Sequence, residues 1–317
     1  MILMKVLITG AAGFIGSHLV GKFLQEGWEV VGLDNLLTGR IENLQEYFSN
    51  PSFVFIKYDV TNFLYVKGEL DLILHFACPA SPVHYLRHPI HTMKVDSLGT
   101  LHALGLAKEK GARFVLASSS EVYGDPQQTP QKETYNGNVS PIGPRSVYDE
   151  AKRFSEALAM AYYRQHGVDV RIARIFNTYG PRMDPDDGRV IPTFIKQALL
   201  GEPLTVFGDG TQTRSFCYIK DMVEGIYSLS TREGISGEVF NLGNPQEWRI
   251  IDVASLIKAL TGSNSPIEFR PLPQDDPKRR RPDIGKAKKI LGWEPRYTLE
   301  EGIKEALPWF KGRILRP

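Results

Sequence analysis

The chain of 317 residues has room for about two domains of ~150 residues each. Its 42% hydrophobic content supplies a core and excludes a disordered chain. Thirty-eight Lys and Arg against 36 Asp and Glu leave a net charge of +2, which gives no basis for a nucleic-acid partner.

The first half alternates short apolar runs with helical periodicity. Lys5–Thr9 predicts a buried strand, Phe14–Glu26 a helix, and Glu29–Leu33, Phe53–Lys57 and Leu70–His75 further strands. His91–Lys110 predicts one long helix, followed by a strand at Arg113–Ala117, a second long helix at Tyr148–His166 and a strand at Val168–Arg174. This alternation implies an α/β fold, a doubly wound parallel sheet covered on both faces. Beyond Phe176, closely spaced Pro and Gly residues punctuate shorter elements, which predicts a smaller, irregular C-terminal lobe. The expected division is a dinucleotide-binding domain over 1–176 and a substrate-binding lobe over 177–317, with 218–242 returning to the first sheet through a helix at Asp221–Thr231 and a strand at Val239–Leu242. A Pro-rich, charged connection spans Pro266 to Pro282, and helical stretches at Ile284–Leu291 and Leu299–Phe310 close the chain.

The first strand runs into Thr9-Gly10-Ala11-Ala12-Gly13-Phe14-Ile15-Gly16, a GxxGxxG loop that opens a helix. Glycines allow a tight turn and let backbone N–H groups approach a pyrophosphate, and the helix N-terminus adds its positive dipole end. A second strand ends at Asp34, close to the offset at which an acid binds the adenosine ribose. Such an acid repels a 2′-phosphate, so NAD is the expected cofactor rather than NADP. Asn35, Thr38, Gly39 and Arg40 follow in the adenosine-facing segment. Arg40 reads either as a partner for a 2′-phosphate or as a surface arginine. Asp59 and Val60 end the next strand, where the acid meets an adenine amino group or serves as a strand-end cap.

Tyr148-Asp149-Glu150-Ala151-Lys152 is a YxxxK pattern, and positions i and i+4 share a helix face. A neighbouring ammonium favours the phenolate, which then serves as a base toward a hydroxyl that is being oxidised. Upstream lies Ser118-Ser119-Ser120-Glu121-Val122-Tyr123-Gly124.

TGAAGFIG, SSSEVYG and YDEAK in this order resemble the extended short-chain dehydrogenase/reductase family. ACPASPVHY, NVSPIGPRSVYDEAKR, ARIFNTYGPRM, GEPLTVFGDGTQTRSF and RRRPDIGKAKKILGWEP narrow the resemblance to its UDP-glucuronate decarboxylase branch. The resemblance implies decarboxylation of UDP-glucuronate to UDP-xylose through a 4-keto sugar, with NAD recycled within each turnover. Related 4,6-dehydratases carry Asp-Glu where this chain has Ser120-Glu121, and a serine serves poorly as the acid that expels a hydroxyl. A 4-epimerase, a 4,6-dehydratase and a non-catalytic NAD-binding sensor stand as the alternatives. The resemblance assigns Tyr148, Lys152, Glu121, Ser120 and Arg280 to catalysis, and Lys94, Asn177, Arg214 and Arg280 to the substrate. From the residues alone, Lys94 reads equally as an exposed helical lysine, and Arg279-Arg280-Arg281 as a solvated run. Phe207, Phe216 and Tyr218 line a pyrimidine slot or belong to the core. One departure stands out: Asp96 occupies a position where the fold usually has asparagine.

Cys78 and Cys217 exclude a disulfide scaffold and a cysteine zinc site and read as reduced thiols. None of the seven histidines forms HExxH, and Pro89 separates His88 from His91, so no metal is expected. No apolar run reaches the ~20 residues of a membrane span, and the apolar start lacks a cleavage-type tail. A cytoplasmic protein without a membrane partner is expected. The family's counterparts of the two long helices pair between subunits, which implies a homodimer with Leu101, Leu104, Tyr162 and Tyr163 outward; packing within one subunit is the alternative.

Overall fold

β-branched and leucine-rich runs form seven strands that pair in parallel. In chain order they are β1 (Lys5–Thr9), β2 (Glu29–Asp34), β3 (Phe53–Lys57), β4 (Leu72–His75), β5 (Arg113–Ser119), β6 (Val170–Ile175) and the strand Glu238–Leu242. Their spatial order is Glu238–Leu242, β6, β5, β4, β1, β2, β3. The computed structural model describes residues 4–271 and 279–315, so residues 272–278 of the Pro-rich connection lie outside the described residues. Consecutive side chains of a strand face opposite ways. Val6 and Ile8 therefore pack with Leu19, Val20 and Phe23 of α1 (Phe14–Gln25). Leu7 packs on the other face with residues of α4 (Thr100–Lys110) and α5 (Ser146–His166). Strand order reverses direction between β1 and β4, and in such sheets ligands bind at the C-terminal ends of the strands beside that switch.

The expected helix at His91–Lys110 is broken. After the short helices α2 (Pro82–Arg87) and α3 (Pro89–Lys94), a π turn at Val95–Gly99 precedes α4. A π turn inserts an extra residue and frees a carbonyl. Here the Ser155 hydroxyl donates to the Asp96 carbonyl at 2.6 Å. Gly99 lets the turn lie against β3's outgoing loop, since a Cβ there would come within 2.8 Å of Val60 Cγ2. The expected helix at Ile284–Leu291 is likewise a π turn, at Ala287–Leu291. Of the residues expected on the outer helix faces, Leu101 is exposed and Tyr162 and Tyr163 are half-buried, but Leu104 is wholly within the subunit's own core.

The C-terminal residues add helices at Val190–Leu200, Ile250–Thr261 and Leu299–Ile314. A three-stranded sheet there places Glu247–Arg249 and Arg279–Arg280 on either side of Thr213–Ser215. Its parallel pair sets Arg280 opposite Arg214. The helix Ile219–Thr231 and the strand Glu238–Leu242 return to the main sheet, where the strand pairs with β6. Among the described residues, no helix is long and apolar enough to cross a membrane.

Candidate active site

The end of β1 folds into a tight cradle. Gly10 has φ +73°, and a Cβ on it would sit 2.7 Å from the Phe76 carbonyl carbon. A Cβ on Gly16 would lie 2.0 Å from the Gly10 oxygen, so only glycine lets α1 start this close to the strand. Gly13 caps that helix. Gly10, Gly13, Phe14, Ile15, Gly16, Thr38 and Arg40 line a cleft of about 610 Å³. A smaller recess of about 60 Å³ continues from it and is lined by Asp34, Asn35, Thr38 and Val60.

Asp34 ends β2 with both carboxylate oxygens held, by the Ala12 amide at 3.0 Å and the Leu36 amide at 2.8 Å. Burial raises its pKa, and those amides oppose the rise. Gly39 passes so near that a Cβ would come within 2.8 Å of the Asp34 carboxylate. Asp59 lines neither cavity; it accepts a hydrogen bond from the Asn35 amide at 2.9 Å and so braces the recess from behind. Arg40 pairs with Asp184 at 2.7 Å. A glycine cradle, a helix N-terminus aimed into the cleft and an acid at the strand end fit a dinucleotide.

Deeper in the cleft stand Tyr148 and Lys152, both buried on α5. The Lys152 ammonium lies 5.6 Å from the Tyr148 ring centre and donates to the Ala117 carbonyl at 3.0 Å and to Asp96 Oδ1 at 2.9 Å. Burial lowers the Lys152 pKa, but the Asp96 charge leads the interactions that outweigh it, with its hydrogen bond among them, and the ammonium is held above its usual range. Burial raises the Tyr148 phenol as well, while Lys152 and a hydrogen bond with the Ser119 hydroxyl pull it down. Tyr85 of α2 stacks on Tyr148, with ring centres 5.1 Å apart and planes 9° from parallel.

Glu121 follows β5 and is clasped by two arginines. Arg280 forks onto both of its oxygens, and Arg145 donates to Oε2 at 2.9 Å. Burial raises the Glu121 pKa, but the two guanidiniums outweigh it and hold the carboxyl well below its usual range. Burial, and then the Glu121 charge, push neighbouring Asp149 up to about 7.

Ser120, Asn177, Arg214 and Arg280 also line the large cleft. Lys94 does not: it is exposed at the end of α3 and lines neither cavity. The arginine triplet is divided by strand alternation, with Arg280 buried in the cleft and Arg279 turned outward to Glu247. Phe207 and Phe216 line the cleft, whereas Tyr218 packs among Tyr179 and Tyr297. Sequence reasoning missed Ser119, Arg145 and Tyr85. The serine triplet signalled a hydroxyl near Tyr148 without showing which one; Arg145, three residues before Tyr148 on the approach to α5, carried no signal of its own. Among the described residues, no group of three or more His, Cys, Asp or Glu is placed to hold a metal ion.

A parallel sheet with a glycine cradle at its switch point, and a Tyr-Lys pair facing that cradle, define the extended short-chain dehydrogenase/reductase class. The family model described as GDP-mannose 4,6 dehydratase matches residues 7–306. The chain is 53% identical over 312 residues to UDP-glucuronic acid decarboxylase 1 of Arabidopsis thaliana, covering 98% of this chain and 71% of that protein. It is 54% identical over 310 residues to UDP-glucuronic acid decarboxylase 1 of Danio rerio, covering 98% and 73%. The structure of UDP-glucuronic acid 4-epimerase from Bacillus cereus, in complex with UDP-glucuronic acid and NAD, superposes with a TM-score of 0.87 at 31% identity, covering 98% of this chain and 100% of that one. The chain belongs to this family and, within it, to the UDP-glucuronic acid decarboxylases.

Proposed function

We infer that this protein is an NAD-dependent enzyme that converts UDP-glucuronate to UDP-xylose and carbon dioxide. The observation that carries this reading is the Arg280–Glu121 pair, set in the same cleft as Tyr148 and Lys152. A guanidinium suits a uronate carboxylate, and Ser120 stands where a dehydratase needs an acid.

NAD, when bound, accepts a hydride from C4 of the sugar and later returns it. Gly10, Gly13, Phe14, Ile15 and Gly16 hold its pyrophosphate. Asp34, Asn35, Thr38, Gly39, Arg40, Asp59 and Val60 form or brace its adenosine end. Tyr148 takes the C4 hydroxyl proton, with Lys152 and Ser119 stabilising the phenolate. The sugar is then a β-keto acid, and its carboxylate leaves as neutral CO₂ while the electrons move into the C4 carbonyl. Ser119, Ser120 and the Tyr148 phenol supply hydrogen bonds to the developing oxyanion.

Arg280 receives the substrate carboxylate, which competes with Glu121 for the same fork. Glu121 then keeps its burial but loses a cation, so its pKa rises; it takes up a proton from solvent and delivers that proton to C5 as the enolate collapses. Asn177 and Arg214 contact the phosphosugar, while the exposed Lys94 is left out of this assignment. Phe207 and Phe216 offer apolar faces to the base. We assign the protein to a homodimer formed through α3 to α5, and to a reducing compartment such as the cytoplasm, where Cys78 and Cys217 stay free.

The test supplies UDP-glucuronate and UDP-glucose in parallel. A pentose nucleotide and CO₂ from the first, with no bulk NADH, support the reading. A 4-keto-6-deoxy sugar from the second, with no CO₂ from the first, overturns it in favour of a dehydratase.

A further inference from the structure

Asp96 is fully buried in the π turn between α3 and α4, and every acceptor it owns is engaged. Oδ1 accepts from the Lys152 ammonium at 2.9 Å, Oδ2 from the Cys78 thiol at 3.1 Å, and the backbone carbonyl from the Ser155 hydroxyl at 2.6 Å. Lys152 is the cation beside the Tyr148 base, and Cys78 lines both the large cleft and the adenosine recess. A formal negative charge, itself fully buried, is thus wired directly to the reaction's cation at the wall of the cleft. An asparagine would keep one acceptor for Lys152 and carry no charge.

We propose that Asp96 is a positioning residue for the oxidation step: it fixes Lys152 as a permanent cation and, by screening that cation, sets the pH at which Tyr148 becomes a base. This rests on the decarboxylase reading for its substrate, but not for its electrostatics. The two effects have opposite consequences for the pH profile. The pair with Asp96 holds the proton on Lys152 against burial, which moves any alkaline loss of that cation to higher pH. The same carboxylate opposes Lys152 at the phenol and moves the useful pH upward. Asp149, next to Tyr148 on α5, is pushed up to about 7 by burial and then by the Glu121 charge. His75, at the end of β4, is held neutral by burial and by Lys152, its pKa lowered to about 3. Cys78, in the loop after β4, is driven up by burial and then by Asp96. Tyr85 on α2 is driven up to about 12, chiefly by burial. Arg189 lies within electrostatic reach of Tyr148 and is paired with Asp187, and Glu121 is neutralised by Arg280 and Arg145.

Asp96→Asn tests this through two independent readings. The first needs neither substrate nor cofactor: alkylation of Cys78 by iodoacetamide as a function of pH, with Cys78→Ser as the blank and the fully buried Cys217 silent. The wild-type thiol is expected to titrate well above the ~8.5 of a free cysteine. In Asp96→Asn it is expected to drop by about one unit or more, with roughly tenfold faster alkylation at pH 8. The second reading is the pH profile of kcat/KM for UDP-glucuronate. Its acid limb is expected to move down by about one unit, and a new alkaline limb to appear as the neutralised site releases the Lys152 proton. Asp96→Ser, smaller and also uncharged, is to give the same two shifts should asparagine not be accommodated. A wild-type Cys78 that alkylates like a free thiol, or neutral variants in which both profiles stay put, would overturn the proposal. Failure of the wild type to use UDP-glucuronate would remove the substrate reading and leave the thiol measurement to decide on Asp96.

Discussion

Arg280 reaches across the cleft to fork onto Glu121, 159 residues away along the chain, and so ties the Pro-rich connection to the end of β5. Burying a carboxylate is costly unless its charge is matched, and here two guanidiniums match it. Glu121→Gln leaves Arg280 and Arg145 unmatched and is expected to destabilise the fold by about 3 kcal/mol or more. The sign with pH follows from a folded pKa below the unfolded one. The stabilisation is complete above the unfolded value of ~4.3 and is lost as pH falls from there through the lowered folded value. Denaturant midpoints of wild type should therefore fall steeply below pH 4, and those of Glu121→Gln less steeply. Parallel curves would place the charge match elsewhere.

Tyr148→Phe removes the phenol while leaving the Tyr85 ring a partner of similar shape. Loss of a general base costs ~10²–10⁴-fold in turnover. The variant is expected to retain NAD, because the glycine cradle and Asp34 are untouched. Ser119→Ala should lose less, and its acid limb should move to higher pH, since Ser119 pulls the phenol down. A Tyr148→Phe enzyme with full activity would mean that another group opens the reaction.

The cofactor preference rests on two carboxylates. Asp34 faces the recess in which a ribose 2′-phosphate would sit, and Arg40 is engaged by Asp184 rather than held for that phosphate. NAD is expected to bind more than tenfold tighter than NADP, that is, by more than ~1.4 kcal/mol. Asp34→Asn should narrow the gap by improving NADP binding. Calorimetric titrations showing equal affinities in the wild type would remove Asp34 from this role.

The parallel sheet, the glycine cradle and the Tyr-Lys face were legible in the sequence because each depends on local spacing: β-branched runs, GxxGxxG, and an i,i+4 pair. The π turn at Val95–Gly99 was not legible. Its sequence is as compatible with α-helix as that of its neighbours, and what pulls it out of register is long-range, the Ser155 hydroxyl and the close approach of Val60. The Asp96–Lys152 pair follows from that turn and was hidden for the same reason. Arg280 stood out only in a run of three arginines, and strand alternation decided which of them faces the cleft.

The homodimer reading makes the last prediction. Leu104, expected on the outside, belongs to the subunit's own core, so any interface must use other side chains. The exposed apolar residues of this region are Ile90 and Met93 on α3, Leu98 in the π turn, Leu101 on α4 and Phe154 on α5, with Ile90 71% and Phe154 51% exposed. These helices pack directly on one another, so the residues belong to one helical layer on one side of the sheet. Exposed apolar side chains gathered this way mark a protein contact more often than open surface. Two copies joined through this layer would form a four-helix arrangement of α4 and α5 with their partners. Met93→Glu and Phe154→Glu together place two like charges per subunit in that contact, four across the two-fold axis. Sedimentation equilibrium is expected to show a dimer for the wild type and a monomer for the double variant. The Tyr148–Lys152 pair lies on the cleft side of α5, so NAD binding should survive the change. A wild type that sediments as a monomer, or a double variant that stays dimeric, would move the interface off this layer.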